Sequence, residues 1–231
     1  MTAEALGACR HVSVTYGSGE SSVRALEDVD LTIAADDRVA LLGRSGSGKT
    51  TLLHVLGGLV EPSAGRVEWH GRPLITLDAA ERGTLRSQGI AYVFQGANLL
   101  PYFTAFENVA FAARASGRDV DADFAQPLAL LGLVGLADKA DHLPAELSGG
   151  EAQRVALVRA IAQAPELMLC DEPTGHLDSD TGERVLDLVE ALRDKYGFAL
   201  VVATHDPDVA ARLGRLVELH DGRIVSAEVV A

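Results

Sequence analysis

Eight consecutive residues, Gly43, Arg44, Ser45, Gly46, Ser47, Gly48, Lys49 and Thr50, constrain this chain more than any other stretch. A β-branched apolar run at 38–42 precedes them and an apolar helical run at 51–59, starting at Thr51, follows. Strand, glycine-rich loop and helix in that order are the context a phosphate-binding loop requires. Glycines let backbone N–H groups turn inward around phosphate oxygens, and the new helix adds its positive end. The Lys49 ammonium then reaches the outer phosphates and the Thr50 hydroxyl is offered to Mg²⁺. Average residue frequencies produce the bare pattern in a chain of this length about one time in a hundred.

The rest of the chain supplies a setting for such a loop. Residues 11–16 and 29–34 alternate and read as strands, as do 38–42, 65–70 and 90–94. From 104 to 163 the pattern becomes helical, rich in Ala and Leu, with no good strand. Strand and helix alternate again after Pro165, with strands at 167–170 and 198–203 around an amphipathic helix at 179–196. Alternation of this kind implies a parallel sheet covered by helices. Residues 216–220 and 223–227 flank Asp221-Gly222, a hairpin signal.

Composition narrows the partners. With 48% hydrophobic and 23% charged residues the chain buries a globular core. A net charge of −13 argues against nucleic acid and against adhesion to anionic lipid. The longest apolar candidate, 128–137, is too short to span a bilayer and contains Gly132 and Gly135. Residues 1–10 have no secretory pattern, and Cys9 and Cys170 have no metal-ligand spacing, which fits a reducing compartment. Segment 43–115 is net positive, at +2, and holds Lys49, one of only three lysines in the chain.

Two further motifs follow the loop. The apolar run 167–170 ends in Asp171 and Glu172, as when a buried parallel strand delivers acids to its carboxyl edge. One acid there can hold Mg²⁺ through its water shell, and its neighbour can orient or deprotonate an attacking water. The second motif is Leu147, Ser148, Gly149, Gly150, Glu151. Ser148 and Glu151 have capping-box spacing, but capping does not ask for two glycines in the first turn, where they weaken a helix. Glycines there do let a phosphate approach the backbone.

Taken together, the loop at 43, Gln95 after a strand, LSGGE at 147, Asp171-Glu172, Leu177-Asp178, and Thr204-His205-Asp206 form an ordered series. That series resembles the ATP-binding subunits of ABC transporters over essentially the whole chain, and LSGGE is its diagnostic member. The stretches YGSGESSVRALEDVDL, LLHVLGGL, QGANLLPYFTAFENVAF and DEPTGHLDS resemble most the lipoprotein-releasing, macrolide-efflux and antimicrobial-peptide-resistance ATPases, with the cell-division ATPase a near relative.

The resemblance implies an α/β P-loop NTPase fold. It would have a RecA-like core (about 1–95 and 165–231), an N-terminal antiparallel β subdomain and an inserted α-helical subdomain (about 96–164). It implies that Tyr16 stacks on adenine beside Val23, that Gln95 senses Mg²⁺ and water, and that His205 contacts the γ-phosphate. By the same resemblance Glu172 is the catalytic carboxylate, Thr50, Gln95 and Asp171 serve the metal, and Asp178 couples two subunits. Ser148, Gly149, Gly150 and Glu151 would face the loop of a second copy, so that each ATP is sandwiched between two chains. His176, Cys170 and Ala152 depart from the commonest family residues without touching those assigned to phosphate or metal.

An ATPase without a spanning segment must pass its energy on. The resemblance implies a bacterial subunit at the cytoplasmic face of the inner or plasma membrane, peripheral through a separate permease. Residues 98–111, bounded by Asn98 and Phe111, are the candidate docking surface, with Leu99, Leu100, Tyr102, Phe103 and Phe106 beside a Thr104/Glu107 capping box; core packing is the competing reading of the same residues. Export or mechanotransmission is expected. The alternative is a regulatory ATPase of a cell-division-type complex without transport. A repair or translation ATPase fits poorly, since there are neither heptads nor a second phosphate loop.

Overall fold

Two strands of twelve residues open the fold, β1 (Ala5–Tyr16) and β2 (Val23–Ala34). Each begins six residues before its alternating half. In β1, residues 6–9 are buried consecutively, and in β2 buried Leu26 falls on the same alternate positions as exposed Arg24 and Asp28, so neither early half carries the period-2 signal. The strands pair antiparallel from Ala5↔Ala34 to Tyr16↔Val23, with register shifts along the way. β3 (Arg38–Leu42) lies where its apolar run places it. α1 (Lys49–Leu56) stops short of residue 59 because Gly57 caps it and Gly58 takes φ +66.

β4 (Ala64–Trp69) and the short β5 (Arg72–Pro73) follow, then α2 (Ala79–Thr84). α2 buries no residue and so carries no apolar stripe; a reciprocal capping box between Asp78 and Glu81 defines its start. Next come β6 (Ile90–Val93), α3 (Ala105–Ala115), α4 (Ala125–Leu133), α5 (Gly149–Ile161), β7 (Leu167–Asp171) and α6 (Ser179–Tyr196). β8 (Ala199–Thr204), α7 (Pro207–Ala211), β9 (Arg215–His220) and β10 (Arg223–Val229) complete the order. This computed structural model describes residues 5–117, 125–175 and 177–229; His176 lies outside the described residues. Among those described, no helix is long and apolar enough to cross a membrane.

The chain forms two compact units, Met1–Arg86 with Phe198–Ala231, and Ser87–Gly197. In the first, an antiparallel sheet runs β2-β1-β4-β5, and a second set of strands runs β10-β9-β3-β8. β3 is parallel to both β8 and β9, with Leu42 opposite Thr204, so the loops that follow β3 and β8 leave the same edge. Every residue of β8 is buried, the mark of a strand covered on both faces. The β9–β10 hairpin turns at Asp221 (φ +47) and Gly222 (φ +77), both left-handed as a two-residue primed turn requires.

In the second unit β6 and β7 pair in parallel, from Ile90↔Leu167 to Val93↔Cys170. All five β7 residues are buried. α5 packs on α3, β6 and α6, burying Val155, Ala156, Leu157, Val158, Ala160 and Ile161. Parallel pairing again brings two strand ends to one edge, here those leading to Gln95 and Glu172.

Candidate functional site

The first unit holds the glycine-rich loop. α1 begins at Lys49 with Gly48 as a left-handed cap (φ 104), and its first turn contains no acidic residue. Its positive end is therefore left uncompensated by any carboxylate of its own first turn. The Lys49 side chain is buried, and its ammonium donates to the carbonyls of Gly43 (2.7 Å) and Arg44 (3.2 Å). Ser47 Oγ is buried with no hydrogen-bond partner among the described residues, while a Cβ on Gly46 would meet nothing within 4 Å. A buried ammonium, an orphaned hydroxyl and an open glycine form a donor set that fits a polyphosphate. Arg44, Ser45, Gly46 and Thr50 are exposed.

Three glycines hold this loop in shape. A Cβ on Gly43 would lie 2.6 Å from Leu219 O, and one on Gly48 2.6 Å from Ala25 O. Gly222, read from sequence only as a hairpin residue, donates its N–H to Ser47 O (3.0 Å) and accepts from Glu27 N–H (2.8 Å). The β9–β10 turn thus braces the loop from behind, a contact across 175 positions that no local pattern announces. Gly43 N–H donates to Thr204 O (3.3 Å), which sets exposed His205 next to the loop's first residue. Tyr16 and Val23 are partners across β1 and β2 and stand 45% and 64% exposed, so Tyr16 is not spent on the core.

In the second unit Asp171 ends β7 buried at 8% exposure. Burial, and next the Asp171 carboxylate, push the pKa of the Tyr92 hydroxyl up. Burial likewise raises the Cys170 thiol to about 12, leaving it protonated and unreactive. Glu172 follows at φ +44, a left-handed conformation that a non-glycine residue adopts only under constraint. Its Oε2 lies 3.5 Å from Gln95 Nε2. A Cβ on Gly175 would come within 3.2 Å of that oxygen, so glycine there leaves the carboxylate room.

The LSGGE segment starts α5. Ser148 Oγ accepts from Glu151 N–H and Glu151 Oε2 from Ser148 N–H, the capping box that the spacing predicts. Its two glycines differ. Gly149 is exposed and meets only ordinary contact, whereas Gly150 is buried and a Cβ on it would lie 2.5 Å from Thr181 Cγ2. Close packing on α6 therefore accounts for the missing Cβ at Gly150, whereas at Gly149 the missing Cβ leaves open surface. Asp178 caps α6, accepting from Thr181 N–H at 3.0 Å, and this bond leads the causes that hold its carboxyl below the usual range. Lys139 donates to Glu151 Oε1, a contact between residues twelve positions apart that sequence reading missed.

Comparison with known proteins finds relatives over most of the chain. A family model described as ABC transporter matches residues 26–175. The lipoprotein-releasing system ATP-binding protein LolD of Shewanella oneidensis is 45% identical over 211 residues, covering 91% of this chain and 92% of its own. The LolD protein of Geobacter metallireducens is 44% identical over 211 residues, covering 91% and 94%. Among solved structures, a dimeric post-hydrolysis state of the ATP-binding cassette MJ0796 bound to ADP and Pi matches with a TM-score of 0.90 and 37% identity, over 97% of this chain and 99% of that one.

Lys139 is the leading cause, ahead of the Ser148 N–H, of a Glu151 carboxyl lowered from 4.5 to about 2. A lowered carboxyl stabilises the fold fully above its ordinary value and loses that contribution as pH falls toward the folded one. Lys139→Met should move the Glu151 titration back toward 4.5 by carboxyl NMR, and its stability deficit should close as pH falls from 4.5 to about 2. A Glu151 that still titrates near 2 in the variant would contradict the assignment.

Proposed function

The chain belongs to the ABC transporter family, as one of its ATP-binding, ATP-hydrolysing subunits, and from that premise we propose that two copies close head-to-tail around two ATP molecules to drive a separate membrane permease. The observation that carries the reading is Glu172. It is a carboxylate held in a strained conformation directly after a buried Asp171, within 3.5 Å of the Gln95 amide.

In this reading the backbone N–H groups of residues 43–50, with Thr51 in the same first turn, receive the phosphates, and Lys49 turns from its own loop carbonyls to the outer ones. Tyr16 offers its exposed ring to adenine, with Val23 as apolar neighbour. Mg²⁺, when bound, neutralises phosphate charge, and Thr50, Gln95 and Asp171 are the residues that would hold it. Glu172 orients the attacking water and takes its proton; His205 steadies the outer phosphate. Phosphoryl transfer asks little more of a protein than such positioning and charge stabilisation. Ser148, Gly149, Gly150 and Glu151 complete the site of the opposite copy, and Asp178 couples the two.

The relatives named for lipoprotein-releasing systems favour export or mechanotransmission, with the subunit held at the cytoplasmic face by its permease. The docking surface is 98–111. Tyr102 is 89% exposed and Phe111 52%, and the Phe103 and Phe111 rings meet edge-on at 5.8 Å, an aromatic group turned outward on a surface whose core duties fall to Ala105, Val109 and Ala113. Exposed apolar groups of this kind mark a partner.

Glu172→Gln keeps the shape of the side chain and removes its basicity. It should leave ATP binding intact, lower hydrolysis by about a hundredfold or more, and accumulate an ATP-bound dimer on gel filtration; normal turnover would remove Glu172 from the catalytic role. Phe103→Asp should abolish co-purification with the permease while nucleotide affinity stays at the parent value. Retained pull-down would place the docking surface elsewhere.

A further inference from the structure

We propose that Arg159, on the last turn of α5, is a positioning residue that fixes Gln95 by clamping a strained turn immediately after it. Ala97 and Asn98 are consecutive residues at φ +57 and +48. Left-handed backbone is disfavoured for residues with a Cβ; Asn tolerates it as a single residue, Ala poorly. Two in succession persist only if something outside the turn holds them. The Arg159 guanidinium does so with its fork, Nη1 donating to Asn98 O at 2.6 Å and Nη2 to Ala97 O at 2.9 Å. Adjacent carbonyls pointing at one planar group match arginine's paired donors and do not match a lysine. Burial lowers the Arg159 pKa, as expected for a cation withdrawn from water whose charge is directed into these two acceptors.

The clamp is part of a wider grip on the segment. From the same helix, buried Gln153 donates to Phe94 O at 3.4 Å, on the other side of Gln95. Beyond the turn, Asn108 of α3, fully buried, accepts from Leu100 N–H (2.8 Å) and donates to the carbonyls of Leu100, Phe103 and Thr104. Backbone is held on both sides of Gln95 while its side chain stays exposed and reaches Glu172. Arg159 therefore links the helix that begins at Ser148 to the loop that carries Gln95. Arg159 itself touches neither nucleotide nor metal; it acts through Gln95, and so the inference rests on the role proposed for Gln95 above.

The test pairs Arg159→Gln with a rescue. Amide hydrogen exchange at residues 96–100 of the nucleotide-free protein, ATP affinity and kcat are measured for the parent, for Arg159→Gln, and for Arg159→Gln combined with Ala97→Gly and Asn98→Gly. Glycine adopts the left-handed turn without the Cβ conflict, so it substitutes for the clamp. The expected result is faster exchange at 96–100 and a kcat lower by about tenfold or more, since small misplacements of a positioning group carry such losses. ATP affinity stays near the parent value, and the glycine pair recovers much of the kcat. Unchanged exchange and kcat in Arg159→Gln would overturn the inference, as would a loss of ATP binding and kcat together that the glycine pair does not recover. Should Arg159→Gln fail to fold, Arg159→Lys, which keeps the charge and loses the fork, is read by the same criteria. Gln95→Ala serves as the control: full activity there removes the role of Gln95, whereas the exchange data judge the clamp itself.

Discussion

Parallel strand pairing is the constraint on which the site depends. In an antiparallel pair consecutive strands hand the chain from one edge to the other; in a parallel pair both leave by the same edge. Because Leu42 stands opposite Thr204, Gly43 and His205 emerge side by side in one unit. Because Val93 stands opposite Cys170, the loops carrying Gln95 and Glu172 emerge side by side in the other. A slip of one residue in either register would turn every side chain of that strand to the opposite face, and the complete burial of β7 and β8 makes such a slip costly.

Backbone crowding is the second constraint. The phosphate loop is shaped from outside as much as from within: Leu219 O occupies the space where a side chain on Gly43 would be, and Ala25 O the space where side chains on Gly48 and Gly222 would be. Its glycines serve two ends, an inner surface of exposed N–H groups and an outer surface packed against neighbouring backbone. In the second unit the same economy appears at Gly150, pressed on Thr181, and at Gly175, which leaves the Glu172 carboxylate its space. Three of the eight left-handed non-glycine residues among those described, Ala97, Asn98 and Glu172, lie within reach of Gln95. Strain of this kind is kept where geometry matters for function.

How much of this was legible in the sequence follows from how local each feature is. β3, the start of α1, the capping boxes at Thr104 and Ser148, and the Asp221-Gly222 hairpin all rest on residues within a few positions of each other. Those could be read directly. The early halves of β1 and β2 could not, because burial there follows pairing and not alternation. α2 buries nothing and leaves no stripe to detect. Gly222 under Ser47, Lys139 beside Glu151 and Arg159 on the Ala97–Asn98 turn are contacts between segments far apart in the chain, invisible to any window. Gly150 is the instructive case: the motif suggested phosphate approach, and the structure adds a packing reason for glycine that the sequence did not show.

The central claim is that the nucleotide site is completed only by a second copy, since the motif at Ser148 is read as serving the opposite subunit. The most direct measurement is ATPase rate per subunit across a dilution series, with oligomeric state followed in the same samples. The account predicts a rate per subunit that falls steeply as the dimer dissociates. A rate that stays constant in a demonstrably monomeric sample would contradict it.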